Sequence, residues 1–317
     1  MKRLKHFLRL IWILLSHRPF QTIYFNFKML PFRQAVKLPI FIYTKTEFRS
    51  LEGKVIIEGP VYPNMIHIGD NTRYVTTAKP LSIWTINGTL CFHGKINFYH
   101  GTYIYVAESA ALSFGSQGTC VGSDTKIICR DSIYIGNSVR ITWENQIYDT
   151  SFHYVKDENG NVLPLTKPII INDNVWIGNR TTIGKGTILP SFSIVASNSM
   201  TNKDYSEYGE NCMYAGIPAK CKKTNITRLF SSKDFLLFCG LDQCRLQSDL
   251  YREFHPRQHS LHLDFHSHHR LQKIRNQADL CIPFDKVPEV DLLLGQYRVH
   301  QLRLSVKSIR FLHPNNQ

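Results

Sequence analysis

The sequence predicts an all-β fold, a parallel β-solenoid, and three observations point to it. Ile135, Ile141, Ile147, Ile171, Ile177, Ile183, Leu189 and Val195 fall on one six-residue register, with Cys129 in phase before them. A small or polar residue follows the aliphatic, and Gly136, Gly178 and Gly184 stand where the chain would have to bend tightly. A weaker register precedes it at Ile86, Phe92, Phe98 and Ile104, with Ile68-Gly69-Asp70 as an earlier echo. A period of six is neither the alternation of a half-buried strand nor the spacing of a helix. It suits short strands that each turn a corner and stack on the coil below, with one aliphatic per strand pointing into a narrow interior and three strands closing a triangular coil. An antiparallel β-domain with similarly spaced turns would alternate at every second residue instead.

Residues 1–50 come first and carry most of the charge imbalance. The chain has 317 residues, 38 Lys+Arg, 24 Asp+Glu and a formal net charge of +14, yet residues 1–50 alone hold ten Lys/Arg against the single acid Glu47. With 43% hydrophobic residues the chain is too apolar for global disorder, and 14 Pro and 18 Gly are too few for a low-complexity chain. A basic segment is drawn to polyanions, meaning nucleic acid or the anionic face of a membrane. Here Phe7, Leu8, Leu10, Ile11, Trp12, Ile13, Leu14 and Leu15 are interleaved with Lys2, Arg3, Lys5 and Arg9, an apolar run that favours the membrane over nucleic acid. The run is shorter than the about 20 apolar residues a span needs. Ser16, His17 and Arg18 follow it rather than a small-x-small cleavage site. Residues 1–18 are expected either to lie on an anionic membrane surface or to pack their apolar side on the protein's own core. Eight cysteines without a CxxC pair write neither a zinc ribbon nor a thioredoxin-type motif. They are read as reduced thiols in a cytoplasmic protein, peripheral at the inner membrane surface if residues 1–18 engage lipid.

Residues 51–230 are expected to form the solenoid domain, interrupted by a loop at 152–168 where the register breaks. Ile169 to Lys220 reads IIINDNVWIGNRTTIGKGTILPSFSIVASNSMTNKDYSEYGENCMYAGIPAK. With VWIG at Val175–Gly178 and AGIPAK at Ala215–Lys220, it resembles the C-terminal coils of hexapeptide-repeat acyltransferases of the sugar O-acetyltransferase branch. The stretch ITWENQIYDTSFH, Ile141–His153, resembles the WDxxIxDTDxH element of acetyltransferases in bacterial capsule and lipopolysaccharide gene sets. NFKMLPFRQAVKLPIFIY, Asn26–Tyr43, is similar to the N-terminal part of the same branch. The resemblance covers residues 20–230. It implies a left-handed parallel β-helix, acetyl-CoA as co-substrate with no metal, a saccharide acceptor, and a homotrimer with active sites between neighbouring chains.

The same resemblance places the chemistry. In the family a histidine removes the proton of an acceptor hydroxyl as that oxygen attacks the thioester, and His153 is the match. An imidazole titrating near neutrality suits that work. Asp149 lies four residues earlier, where a carboxylate could hold the imidazole tautomer and stabilise its protonated form; it could equally be a turn-forming Asp beside Thr150 and Ser151. The second acid of the family's DTD is Ser151 here, and Glu144 stands where the family has Asp after Trp143. By resemblance Trp176 flanks the donor site, Asn179 and Ser197 line the pantetheine groove, and Lys203 and Lys220 contact the phosphates of CoA. A flexible ammonium is the right group for that contact.

Residues 231–317 form a His-rich extension beyond the resemblance. His255, His259, His262, His266 and His269 would line one helix face, a zinc or nickel surface. Leu261, Leu263 and Phe265 alternate with His262, Asp264 and His266 in strand fashion, and the strand-and-surface reading is preferred to a metal site. The leading expectation is an acetyl-CoA-dependent O-acetyltransferase acting on a hydroxyl of a cell-surface saccharide or its lipid-linked precursor. An N-acetyltransferase on an amino sugar and a non-catalytic β-solenoid scaffold or saccharide-binding protein stand as alternatives. A γ-type carbonic anhydrase is disfavoured, because His93 and His100 are seven apart and His153 is in the wrong context for a third ligand.

Overall fold

The computed structural model describes residue 8 and residues 11–15, 17–70 and 81–229. Part of the 1–18 segment and the whole His255–His269 cluster lie outside the described residues. Helices α1 (Pro19–Met29) and α2 (Phe32–Ala35) precede the strands. The first coils contain β1 (Ile40–Ile42), β2 (Thr46–Leu51), β3 (Lys54–Ile57), β4 (Ile66–Asp70), β5 (Ser82–Ile86), β6 (Thr89–Phe92), β7 (Ile96–Tyr99), β8 (Tyr103–Val106) and β9 (Ala111–Phe114). The middle coils add β10 (Thr119–Val121), β11 (Lys126–Cys129), β12 (Ser132–Ile135), β13 (Arg140–Ile141), β14 (Gln146–Tyr148) and β15 (Ile169–Ile171). The last strands are β16 (Trp176–Ile177), β17 (Thr182–Ile183), β18 (Ile188–Leu189), β19 (Ile194–Val195), β20 (Met200–Thr201), β21 (Met213–Gly216) and β22 (Ala219–Lys223).

Up to β20, every third strand joins the same sheet. The first sheet runs β1-β4-β7-β10-β13-β16-β19-β21-β22, the second β2-β5-β8-β11-β14-β17-β20, and the third β3-β6-β9-β12-β15-β18. All neighbours are parallel except the closing hairpin β21-β22. This is the parallel β-solenoid that the repeat predicts, in the left-handed β-helix form that the resemblance implies. The six-residue register is the inward column of each sheet: Ile141, Ile177 and Val195 stack in the first, Ile147 and Ile183 in the second, and Ile135, Ile171 and Leu189 in the third. All are buried. The earlier register is weaker because the earlier coils are longer. Val121 to Ile141 is a step of 20 residues in the first sheet, whereas Ile177 to Val195 is a step of 18. Ile104 accordingly stacks on Trp84 rather than on Ile86. Edge-to-face contacts of Trp84 with Phe98 (4.9 Å) and Phe98 with Phe114 (5.2 Å) fill this interior.

Two details differ from the sequence reading. Parallel pairing begins at Ile40, inside the basic segment 1–50. And Gly136 and Gly178 serve close packing rather than bending. A Cβ on Gly178 would stand 2.5 Å from the Ser197 nitrogen, and one on Gly136 would collide with the Asp173 carboxylate. Most bends are made by non-glycine residues at positive φ, Asp124, Glu144, Arg180 and Asn198 between the first and second sheets and Ser138, Asn174, Phe192 and Asn211 between the third and first, while other corners use Gly101, Gly118 and Gly186.

The coil's first edge is covered by α1, whose Thr22, Phe25, Asn26 and Met29 are buried at helical spacing. Asn26 Nδ2 donates to the Ile40 carbonyl at 2.6 Å, the Ile40 N–H donates to Asn26 Oδ1, and the Ile42 N–H donates to Thr22 Oγ1. Side chains thus satisfy the edge strand that parallel pairing leaves open.

Candidate active site

The loop expected at 152–168 leaves the coil between the second and third sheets. It is a two-stranded arm: Thr150 bridges Thr166, Lys156 bridges Val162, and Asp157 closes the tip by accepting the N–H groups of Asn159 and Asn161. Its base is fixed from two sides. From the coil before it, Asp149 is fully buried and its carboxylate accepts the Arg130 and Asp131 N–H groups, each at 2.8 Å. Burial raises the Asp149 pKa, and the N–H donors of Arg130, Asp131 and Ser132 and the Cys129 thiol oppose that rise. From the coil after it, Lys185 Nζ donates to Ser151 Oγ at 3.1 Å and to the Pro164 carbonyl. Ser151, which replaces the acid of the family pattern, therefore receives a lysine from the next coil.

Phe152 sits at φ +62°, a left-handed conformation that costs an aromatic residue about 1–3 kcal/mol. This turn directs the next residue, His153, out to solvent. No hydrogen bond to either ring nitrogen of His153 is formed among the described residues. The imidazole is available to a substrate, but the geometry does not bring Asp149 to it. Both carboxylate oxygens face the coil beneath. Glu144 lies at a corner between the first and second sheets, ion-paired with Arg180 Nε.

The residues expected at the donor site fall in two places. Trp176, 38% exposed on the first sheet, has the Arg228 guanidinium 5.5 Å above its ring. Asn179 and Ser197 meet at the adjoining corner, where Ser197 Oγ donates to Asn179 Oδ1 at 2.6 Å. That bond leaves the Asn179 amide protons directed elsewhere, and the bare Cα of Gly178 lets the two coils approach closely enough to make it. Lys220 is exposed on β22, which closes the same sheet. Lys203 is not with them. Its carbonyl accepts the Ile188 N–H at the corner between the second and third sheets, the corner that carries the His153 arm. Its ammonium pairs with Glu207 at 2.8 Å and lies over the rings of Tyr205 and Tyr208. An exposed indole, a hydroxyl–amide pair and the cations Lys220 and Arg228 form a set suited to an adenine, a pantetheine amide and phosphates respectively. Sequence reading missed Lys185 and Arg228; each is a single cation outside any motif, and only the coil stacking or the ring contact identifies it.

No protein-family model matches the chain. An uncharacterized 24.8 kDa protein in the cps region of Klebsiella pneumoniae is 29% identical over 203 residues, spanning 63% of this chain and 86% of that protein. Galactoside O-acetyltransferase of Escherichia coli (strain K12) is 23% identical over 125 residues, spanning 39% of this chain and 56% of that protein. Among solved structures, the polySia specific acetyltransferase NeuO aligns with a TM-score of 0.49 at 19% identity, over 70% of this chain and 88% of that one. The six-residue repeat and the three parallel sheets are those of a left-handed β-helix, and over that solenoid the chain is similar in sequence to both relatives.

Proposed function

We propose that the protein transfers the acetyl group of acetyl-CoA to a hydroxyl of a cell-surface saccharide or its lipid-linked precursor, with His153 as general base. The observation that carries this reading is the His153 imidazole, exposed and without a ring hydrogen bond among the described residues, on an arm fastened by Asp149 and Lys185. In the reaction, His153 takes the hydroxyl proton as the oxygen attacks the thioester carbonyl. The tetrahedral intermediate then collapses, its C–S bond breaks, and the imidazolium returns the proton to the CoA thiolate. The products are the O-acetyl saccharide and CoA thiol. Asp149 acts as a positioning residue for the arm.

Trp176, Asn179, Ser197 and Lys220 would hold CoA, while His153 and Lys203 belong to the next corner. That division across the second sheet favours a site completed by two copies, the donor edge of one chain facing the His153 arm of its neighbour in a homotrimer. The apolar side chains of the arm support this, since Phe152, Tyr154, Val155, Val162 and Leu163 are all exposed in the single chain. Calorimetry with acetyl-CoA and thiol-release kinetics test the reading. His153→Ala is expected to lower kcat by about 10²–10⁴ with CoA affinity nearly unchanged, and Lys220→Ala to weaken CoA binding. Unchanged turnover in His153→Ala removes that residue from the mechanism, and a wild-type protein that does not bind CoA is a scaffold or a saccharide binder.

For the membrane, the reading extends from residues 1–18 into α1. No described helix is long and apolar enough to cross a bilayer. Leu8, Ile11, Trp12 and Leu15 are exposed at helical spacing, and so are Phe20, Ile23, Tyr24 and Phe27 on the side of α1 that faces away from β1. An apolar face among Arg18, Lys28, Arg33 and Lys37, with no acid before Glu47, suits an anionic lipid surface on which a lipid-linked acceptor would be presented.

A further inference from the structure

The outer face of the third sheet carries a cluster unconnected with acyl transfer. Cys91 on β6 and Ser113 on β9 are cross-strand partners on successive coils, and their neighbours Phe92 and Phe114 point inward. Cys91 and Ser113 therefore project outward side by side. Two residues further along, His93 reaches back over them. Its Nε2 lies 3.2 Å from Ser113 Oγ and 3.7 Å from Cys91 Sγ. The thiol and the Ser113 hydroxyl thus both face the Nε2 side of the ring. On the far side of the ring, Nδ1 lies 3.0 Å from a carboxylate oxygen of Glu58, which follows β3.

This arrangement has a definite protonation logic. With the Glu58 carboxylate beside Nδ1, the tautomer protonated at Nδ1 leaves the lone pair of Nε2 facing the sulfur and the hydroxyl. A carboxylate–histidine pair of this kind is what orients a metal-binding imidazole from behind. The distances fit as well. A tetrahedral zinc ion with Zn–S about 2.3 Å and Zn–N about 2.0–2.1 Å separates its sulfur and nitrogen ligands by about 3.6 Å, against 3.7 Å between Cys91 Sγ and His93 Nε2. We propose that Cys91, His93 and Ser113, with Glu58 behind the imidazole, form a zinc-class transition-metal site that ties together the coils of β3, β6 and β9. Thiolate and imidazole select zinc-like ions over magnesium or calcium. On binding, the metal–sulfur bond replaces the S–H bond and one proton is released; solvent water completes the coordination. Without metal, burial and the nearby Glu58 charge push the pKa of the Cys91 thiol up. The resemblance implied no metal; Cys91 and His93 are two residues apart in sequence, but Glu58 and Ser113 join them only when the coils stack.

The test is cobalt(II) titration of the full-length, reduced protein, read by the sulfur-to-cobalt charge-transfer absorption that only a thiolate ligand produces. Wild type is expected to develop that absorption with one equivalent bound, and Cys91→Ser, a near-isosteric change on a half-exposed side chain, to lose it. Glu58→Gln should keep the band and weaken metal affinity by about 10–100-fold. Because the readout is thiolate-specific, cobalt held by the histidines of residues 255–269 does not imitate it. Absence of the band in wild type, or a band that persists in Cys91→Ser, overturns the site. Acetyl transfer is expected to be unchanged in Cys91→Ser, which separates this inference from the proposed function.

Discussion

Asp149 illustrates how a residue chosen for one role can be held in another. Spacing alone places it within reach of His153, yet both of its oxygens are taken by backbone N–H groups of the preceding coil. Removing one carboxylate oxygen leaves a buried donor unsatisfied, at a cost of about 1–3 kcal/mol. In Asp149→Asn the new amide NH2 faces an N–H, donor against donor, so the variant is expected to lose stability by that amount at neutral pH. The pH dependence has a definite sign. Because burial raises the folded-state pKa above its unfolded value, the native state holds this proton more tightly. The stability this group contributes is present below its unfolded pKa and is lost as pH rises through the folded one. The gap between wild type and Asp149→Asn should therefore widen as pH falls through the carboxyl range. Urea denaturation across pH measures it, and a gap that closes toward acid contradicts the assignment.

At the scale of the strand and corner, Gly178 is the position to test. Its added Cβ would stand 2.5 Å from the Ser197 nitrogen and 2.8 Å from Ser197 Oγ, so the later coil must move. Gly178→Ala is expected to cost about 1–3 kcal/mol and to lengthen the Ser197–Asn179 contact, weakening CoA binding along with stability. A thermal melt that matches wild type would mean that the coils have slack. The same elements explain what the sequence made legible. One aliphatic per strand must fill each corner-to-corner interior, so the register from Ile135 to Val195 could be read directly. Longer coils around Trp84, Phe98 and Phe114 blurred the earlier one, since packing there is shared among large rings. The corners were misassigned because a glycine after the aliphatic looks like a bend, whereas Asn, Ser and Asp can take the left-handed turn themselves and glycine is needed where coils touch. His153, the proposed general base, was singled out by its motif alone. Lys185, 34 residues from Ser151 in sequence, becomes its neighbour only when coils stack.

For the whole molecule, the open question is where its basic end resides. α1 divides its two faces between the coil and the exterior. Thr22, Phe25, Asn26 and Met29 close the first coil, while Phe20 at 87% exposure, Ile23, Tyr24 and Phe27 face outward. A purely structural helix would not need an aromatic outer face, and a purely electrostatic anchor would not need the aromatics either. Together they match an interfacial helix, in which apolar burial and attraction to anionic headgroups add. Each Lys or Arg near such a surface contributes about 1 kcal/mol. Deleting residues 1–18 removes Lys2, Arg3, Lys5, Arg9 and Arg18 with the first apolar stripe. The deletion is expected to weaken binding to phosphatidylglycerol-containing vesicles at least about a hundredfold. The triple change Phe20→Glu, Ile23→Glu and Phe27→Glu, on the face α1 does not use for folding, should also weaken it while leaving the melting temperature near wild type. Co-sedimentation at rising salt measures both, since the electrostatic share is screened within about 8 Å at physiological ionic strength. If the deletion and the triple variant both bind as wild type does, the basic end is not a lipid anchor, and the acceptor must reach His153 from solution.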